Sequence, residues 1–402
     1  MLGTQALLPE INHGSMVVNP VGNGLARSQV SVRVIRQVDE WDAMHEAWNG
    51  LHAACEAAPI TLKFDWLRIW WSEYQSAFAS AQLFLVTVWR GDRLIGVLPL
   101  YLRRNSCLPW AVHHLAFLST GEAEADEVCA DYLDILCAEA DKEVVAEKAW
   151  RAIAEQAWDH LELLDMPEHT KFRDARFVPG FARLLNRGHC PVADLSSGFE
   201  AYIQNSSPSA RQQARRLIRE GERAEVVFEL VAPRNAAVAF EELVLLHQNR
   251  WNKKNQPGVF ASERFTRFHR ALLDQWLPTG QAVLARVSIR GQPIAVIYGF
   301  VGNKKFDFYQ SGLCIADTGP LRSPGQLAHL LLMRRLASTG IETYDFLRGS
   351  STYKERLSRS ANTLIGLEAW RPTTRSVVAR SFGLIQRGVR RFFSGLRGAS
   401  AE

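Results

Sequence analysis

The 402-residue chain contains no apolar run approaching the roughly 20 residues that cross a bilayer. Its first thirty residues mix Gly, Asn, Pro and Ser, without the basic head and long apolar stretch of a secretory signal. Its six cysteines (Cys55, Cys107, Cys129, Cys137, Cys190 and Cys314) form no Cys-x-x-Cys pair and no metal-ligand spacing, so they read as thiols of a reducing compartment. The histidines, His113-His114 aside, are scattered, so no metal site is expected. No nucleophile–base pairing suggests a covalent mechanism. Acidic residues are nearly missing from one stretch: residues 373–402 hold six arginines against Glu402, which accounts for the whole formal charge of +5 and leaves the rest neutral. Together these features predict a cytoplasmic protein with a flexible leader over residues 1–29.

What is present favours packed cores. Hydrophobic residues make up 47% of the chain, with 12 Trp and 20 Phe, and the length accommodates about two domains. The chain also repeats itself. Phe64-Asp65-Trp66-Leu67 opens one amphipathic helical stretch and Phe265-Thr266-Arg267-Phe268 another. Arg90-Gly91-Asp92 and Arg290-Gly291-Gln292 each turn between two apolar runs. Trp158–Leu164 ends one unit much as Glu342–Leu347 ends the other. Such repetition sets the architecture before any single motif does.

Periodicity gives each unit the order strand, two helices, three antiparallel strands, helix, strand. In the first these are 30–34, 39–52, 65–75, 82–89, 94–102, 111–118, 141–157 and 159–164. In the second they are 226–231, 235–252, 262–276, 282–289, 293–301, 305–312, 324–338 and 341–347. An Arg-rich helix over 207–224 links them. The fold class is mixed α/β, with domains at 30–190 and 191–372 and a tail at 373–402.

One segment carries chemical meaning. In Arg322-Ser323-Pro324-Gly325-Gln326, Ser323 suits an N-cap and Gln326 completes a capping box. Pro324 fits the first helical position, and Gly325 admits another molecule close to the backbone. A helix N-terminus of this kind favours an anion, and Arg322 adds positive charge; a well-capped helix that binds nothing is the plainer alternative. The first unit instead places Glu122, Glu124, Asp126, Glu127, Asp131, Glu139 and Asp141 before its corresponding helix, where they would repel a phosphate.

The ordered set Arg250-Trp251, Pro293-Ile294-Ala295, Ser323-Pro324-Gly325, Asp345–Gly349 and Tyr353-Lys354, with Phe64–Leu67 and Gly96–Leu100, resembles the CelD-type branch of the GNAT acyltransferases, relatives of the Fem peptidyltransferases. The resemblance spans about residues 31–371. It implies two tandem GNAT-like folds, each a mostly antiparallel sheet flanked by helices, and a link to cellulose or exopolysaccharide biosynthesis. Arg322-x-x-Gly325 matches the family's phosphate loop, but Leu327 stands where Gly or Ala is usual. The donor implied is acetyl-CoA or another acyl-CoA, held by Arg322, Ser323, Pro324, Gly325 and Gln326 in the second unit alone.

The implied reaction is direct transfer, in which an acceptor hydroxyl or amine attacks the thioester carbonyl and backbone N–H groups near Tyr309–Ser311 steady the oxyanion. Asp345 is either functional or paired with Arg348 or Lys354. Tyr353 and Lys354 follow a Gly-Ser-Ser loop, as in the resembling family; Lys354 is either a phosphate or acceptor contact or simply solvated. His247 is a candidate base or a satisfied helical histidine, and Tyr309 a candidate proton donor to the thiolate. Arg250, Trp251 and Arg348 are candidate acceptor contacts, the Trp251 ring suiting a sugar face; for Arg250 and Trp251 a packed helix end is the plainer alternative.

Two basic segments remain. The arginines of 211–223 are balanced by Glu220, Glu222 and Glu225 and lack interleaved aromatics, so nucleic acid is not expected as a partner. In the tail, Val378, Phe382, Ile385, Val389, Phe392 and Leu396 form one apolar stripe among arginines, which fits either peripheral contact with the inner membrane face through 375–397 or docking on the protein itself. The functional expectation is an acyl-CoA-dependent acyltransferase acting on a sugar, a polysaccharide precursor or an amine. A Fem-like transferase using aminoacyl-tRNA and a non-catalytic adaptor of a polysaccharide synthesis complex are the alternatives.

Overall fold

A computed structural model describes residues 29–105, 112–174, 180–314, 321–349 and 351–377. The first half runs β1 (Val30–Ile35), α1 (Val38–Asp42), α2 (His45–Ala54), α3 (Phe64–Tyr74), β2 (Gln82–Arg90), β3 (Arg93–Asn105), β4 (Val112–Phe117), β5 (Leu136–Cys137), α4 (Lys142–Glu155), β6 (His160–Pro167) and β7 (Phe181–Asp194). The second runs α5 (Phe199–Gln204), α6 (Pro208–Arg223), β8 (Val227–Leu230), α7 (Ala236–Asn252), α8 (Glu263–Trp276), β9 (Ala282–Ile289), β10 (Gln292–Gly302), β11 (Lys305–Leu313), α9 (Pro324–Ala337), β12 (Thr343–Asp345), α10 (Thr352–Leu357) and β13 (Ser360–Trp370). The fold is mixed α/β, as the periodicity predicts. No helix among the described residues is long and apolar enough to cross a membrane.

All strands join one sheet in the order β1-β2-β3-β4-β6-β13-β7-β12-β11-β10-β9-β8, with β5 on β3. Each half therefore forms an antiparallel meander closed by one parallel pair, β4 with β6 and β11 with β12. The last strands then change places. β13, from the second half, pairs with β6 of the first, while β7, from the first, pairs with β12 of the second. β7 and β13 pair with each other from Phe181↔Trp370 to Val192↔Ser360. Neither long strand is predicted from periodicity, and together they make the central seam.

The repeated helices pack on one another. Trp66 on α3 meets Phe268 on α8 edge-on at 5.1 Å and stacks on Trp276 at 6.2 Å. Trp276 Nε1 donates to Asp65 Oδ2 at 3.2 Å, and Trp66 Nε1 to Ser119 Oγ at 2.8 Å. A single apolar core runs through both halves, and a second lies beneath α5, α6 and α9. The acidic segment of the first half is glue at this junction. Asp126 accepts from Ser262 Oγ and Arg264 Nη1, and Asp131 from the Arg348 backbone N–H at 2.7 Å.

The tail leaves from the first half. Thr373 Oγ1 and Ser376 Oγ donate to the Asp159 side chain and carbonyl, at 2.8 and 3.1 Å. Most of the amphipathic stripe expected over 375–397 lies outside the described residues.

Candidate functional site

β11 and β12 run parallel only from Lys305↔Thr343 to Asp307↔Asp345 and then part. β12 stops because the chain turns away at Leu347, which holds φ at 53°. Lys354 Nζ fixes that turn by donating to the carbonyls of Phe346, Leu347 and Arg348 at 2.8, 3.3 and 3.1 Å. β11 continues to Leu313, and a register shift against β10 leaves Tyr309 bulged.

α9 begins at the mouth of this opening. A Cβ on Gly325 would lie 2.9 Å from Leu313 Cδ1, so glycine is what lets the helix start so close to β11. The expected capping box does not form. Ser323 makes no side-chain cap bond, and Gln326 Oε1 instead accepts from Gln213 Nε2 of α6 at 2.7 Å. The positive end of the helix dipole thus has no side-chain cap from Ser323.

Beside it is a cleft of about 260 Å³ lined by Ser323–Gln326, by Ser311 and Leu313 of β11 and the following Cys314, by Arg250, and by His329 and Tyr353. Its wall is mostly apolar with a few converging polar groups, the usual build of a small-molecule site. Burial raises the Tyr353 pKa to about 12, so the phenol keeps its proton. His329, which sequence reasoning missed, stacks on Tyr353 with ring centroids 5.4 Å apart. A histidine one turn into a helix after a glycine loop was the available signal.

Leu327 does not enter the cleft. It is buried against α6, where a Cβ on Gly221 would come within 2.8 Å of Leu327 Cδ2. The bulky residue in place of Gly or Ala is thus accommodated by a glycine on the neighbouring helix.

The other candidates lie elsewhere. Asp345 is fully buried and accepts from Tyr132 Oη at 2.6 Å, the Leu347 backbone N–H at 2.8 Å and Lys305 Nζ at 3.4 Å, so its cationic partner is neither Arg348 nor Lys354. Arg348 reaches into the first half, with Nη1 2.6 Å from Asp165 Oδ1 and Nη2 3.3 Å from Glu127 Oε1. Tyr309 Oη donates to the Val128 carbonyl at 2.5 Å beside His269, within the inter-half core. His247 is buried, its Nδ1 3.0 Å from Gln248 Oε1, and desolvation lowers its pKa to about 4. Trp251 packs near His247, with Lys254 Nζ 5.3 Å above its ring. Arg322 is exposed at the loop and is not among the residues lining the cleft. Of the thirteen candidate residues, the cleft gathers Ser323, Pro324, Gly325, Gln326, Arg250 and Tyr353.

Two further features lie away from this cleft. A larger cleft of about 1020 Å³ lies at the junction, beside Tyr132, Asp134, Lys142, Lys305 and Asn362. It adjoins the opposite end of β11, about 26 Å from Leu313 at strand spacing. The second feature brings His114, His160 and Glu162 together. The two imidazoles stack at 4.3 Å, and His160 stacks on Trp370 at 3.7 Å. Parallel ring planes set the nitrogen lone pairs side by side instead of converging. Arg103 Nε donates to His114 Nδ1 at 3.1 Å, and Glu368 Oε1 lies 3.1 Å from His160 Nε2, so the group ties β4, β6 and β13 together.

Residues 208–355 match the family model for an acetyltransferase (GNAT) domain. That span contains the whole cleft lining. No protein of curated function matches the chain. Among solved structures, FemX is similar with a TM-score of 0.53 and 10% identity over 85% of this chain and 97% of its own. A conserved protein of unknown function from Bacteroides thetaiotaomicron VPI-5482 is similar with a TM-score of 0.52 and 9% identity, over 84% of this chain and 100% of its own. At such identities the likeness is one of fold.

Proposed function

We propose that the chain is an acyltransferase that takes an acyl-CoA in the cleft between the end of β11 and the start of α9 and passes the acyl group to a sugar, a polysaccharide precursor or an amine. The observation that carries this is the start of α9, without a side-chain cap, at a mostly apolar cleft beside the end of β11, within the GNAT-matching span. The pyrophosphate of the donor would lie on the α9 N-terminus, with Arg250 adding charge. The acyl arm would follow β11 inward past Leu313 and Ser311.

Acceptor oxygen or nitrogen attacks the carbonyl carbon, the C–S bond breaks, and the sulfur leaves as thiolate. Tyr353, kept as a phenol, hydrogen-bonds that sulfur. No carboxylate lines the cleft among the described residues, so the acceptor's proton passes to water. Asp345, Lys354 and Arg348 hold the loop and the junction that shape the site. The first half serves as structural partner. The basic tail over 375–397 would bring the enzyme to an anionic inner membrane face, consistent with a role in cellulose or exopolysaccharide synthesis.

A second reading uses aminoacyl-tRNA as donor. What favours it is a surface groove on α6 lined by Arg211, Arg215 and Arg219, none with a carboxylate partner among the described residues. Calorimetric titration with acetyl-CoA and longer acyl-CoAs decides. Wild type is expected to bind and Gly325→Trp, whose side chain would press on Leu313 at the mouth of the cleft, to lose binding. An absence of binding at every chain length rejects the acyl-CoA reading in favour of the second.

A further inference from the structure

His329 is placed unlike any other histidine among the described residues. It sits on α9 just inside the helix start, with its ring walled by Phe308 at 4.6 Å and Tyr353 at 5.4 Å. Its Nδ1 lies 2.7 Å from Tyr344 Oη, and Nε2 has no protein partner among the described residues although the ring lines the cleft. The hydroxyl of Tyr344 is deep in the core and has His329 Nδ1 as its one partner among the described residues. A buried phenol left without an acceptor is costly, so Tyr344 donates and Nδ1 accepts. The ring hydrogen then belongs to Nε2. Burial, reinforced by the positive charge of Lys354, lowers the His329 pKa to about 3. The imidazole is therefore neutral at every physiological pH, and its role is to donate a hydrogen bond rather than to move a proton.

We propose that His329 is a catalytic residue of the transfer, its Nε2–H donating to the carbonyl oxygen of the donor thioester. Tyr344 is its positioning residue, holding the tautomer from the β12 side. The inference rests on the acyl thioester reading of this cleft. As the acceptor attacks, the carbonyl oxygen gains negative charge, and a preorganised donor stabilises that charge without itself changing protonation. A neutral imidazole polarises a carbonyl in the same way elsewhere. The proton balance of the reaction is unaltered, since His329 begins and ends with one ring hydrogen.

The test uses the full chain and acetyl-CoA, with water as acceptor and thiol release as the readout, beside calorimetric binding. Loss of one oxyanion donor is worth about 100- to 1,000-fold in kcat, so His329→Leu is expected to fall by about that factor while its Kd for acetyl-CoA stays within about threefold. His329→Gln, which keeps an N–H donor, recovers at least about tenfold of the loss. The 15N spectrum of the wild-type ring shows hydrogen on Nε2, and the kcat of wild type shows no His329 inflection between about pH 5 and 8. A folded His329→Leu protein with wild-type kcat, or a ring hydrogen on Nδ1, overturns the proposal and leaves the acyl-CoA reading standing. If Leu fails to fold, a Gln variant with no more activity than Ala in a folded protein overturns it equally. Failure of wild type to bind acetyl-CoA is the distinct outcome that removes both.

Discussion

Asp345 and Arg348 carry the charges that a sequence reader reserves for chemistry, and the fold uses them to hold its parts together. Removing a charge from a buried pair costs about 3–5 kcal/mol, because the partner is left alone. Asp345→Asn is accordingly expected to lower the urea midpoint strongly by weakening the hold on Tyr132 and Lys305; an unchanged midpoint with activity lost would return Asp345 to catalysis. Asp131 gives a pH signature. Unfolded, an aspartate releases its proton near pH 3.9. Folded, desolvation outweighs the Arg348 attraction and lifts Asp131 to about 7. Between those values the folded chain keeps a proton that the unfolded chain has released, so stability falls as pH rises through the window and is level above it. Relative to Asp131→Asn, wild type is expected to lose unfolding free energy from about pH 4 to 7, by about 1.4 kcal/mol per unit at most. A flat difference across that range would contradict it. These roles were hidden from sequence because the partners, Tyr132 and Asp165 among them, come from the other half.

Elements with a clear period were legible. The spans predicted for the strands 282–289, 293–301 and 305–312 and for the helices after 235, 262 and 324 match β9, β10, β11, α7, α8 and α9 to within about two residues at each end. β7 was not legible, since Arg183, Arg187, Gly188 and Pro191 break the alternation of a strand whose neighbours come from two different halves. The loop at Arg322–Gln326 was legible as a helix start, whereas the fit of Leu327 was not, since its counterpart lies on α6. That fit is measurable. Gly221→Ala forces a contact and is expected to cost about 1–3 kcal/mol, and Leu327→Ala, which opens a cavity, about 2–5 kcal/mol. In the double variant the smaller side chain makes room for the new methyl, so the two losses should sum to less than their parts. Strict additivity in a denaturant double-mutant cycle would show that the two helices are not coupled at this point.

At the scale of the molecule, the repeat visible in the sequence suggests two units that fold apart, yet the exchanged strands argue otherwise. Without β13, the first half exposes the facing edges of β6 and β7; without β7, the second exposes β12 and β13. Trp66, fully buried between α3 and α8, would lose its cover in either fragment. The intact chain is therefore expected to unfold in one transition, with tryptophan fluorescence and far-UV dichroism coincident. Residues 29–195 and 196–377 made separately should each lack a cooperative transition, while co-expression should return a complex that unfolds as one. Trp66→Ala, at about 3–5 kcal/mol, should shift that single transition without splitting it. Two separated transitions in the intact chain would mean that the β7–β13 seam does not couple the halves. The donor cleft would then be a property of the second half alone, and that fragment by itself should bind acetyl-CoA.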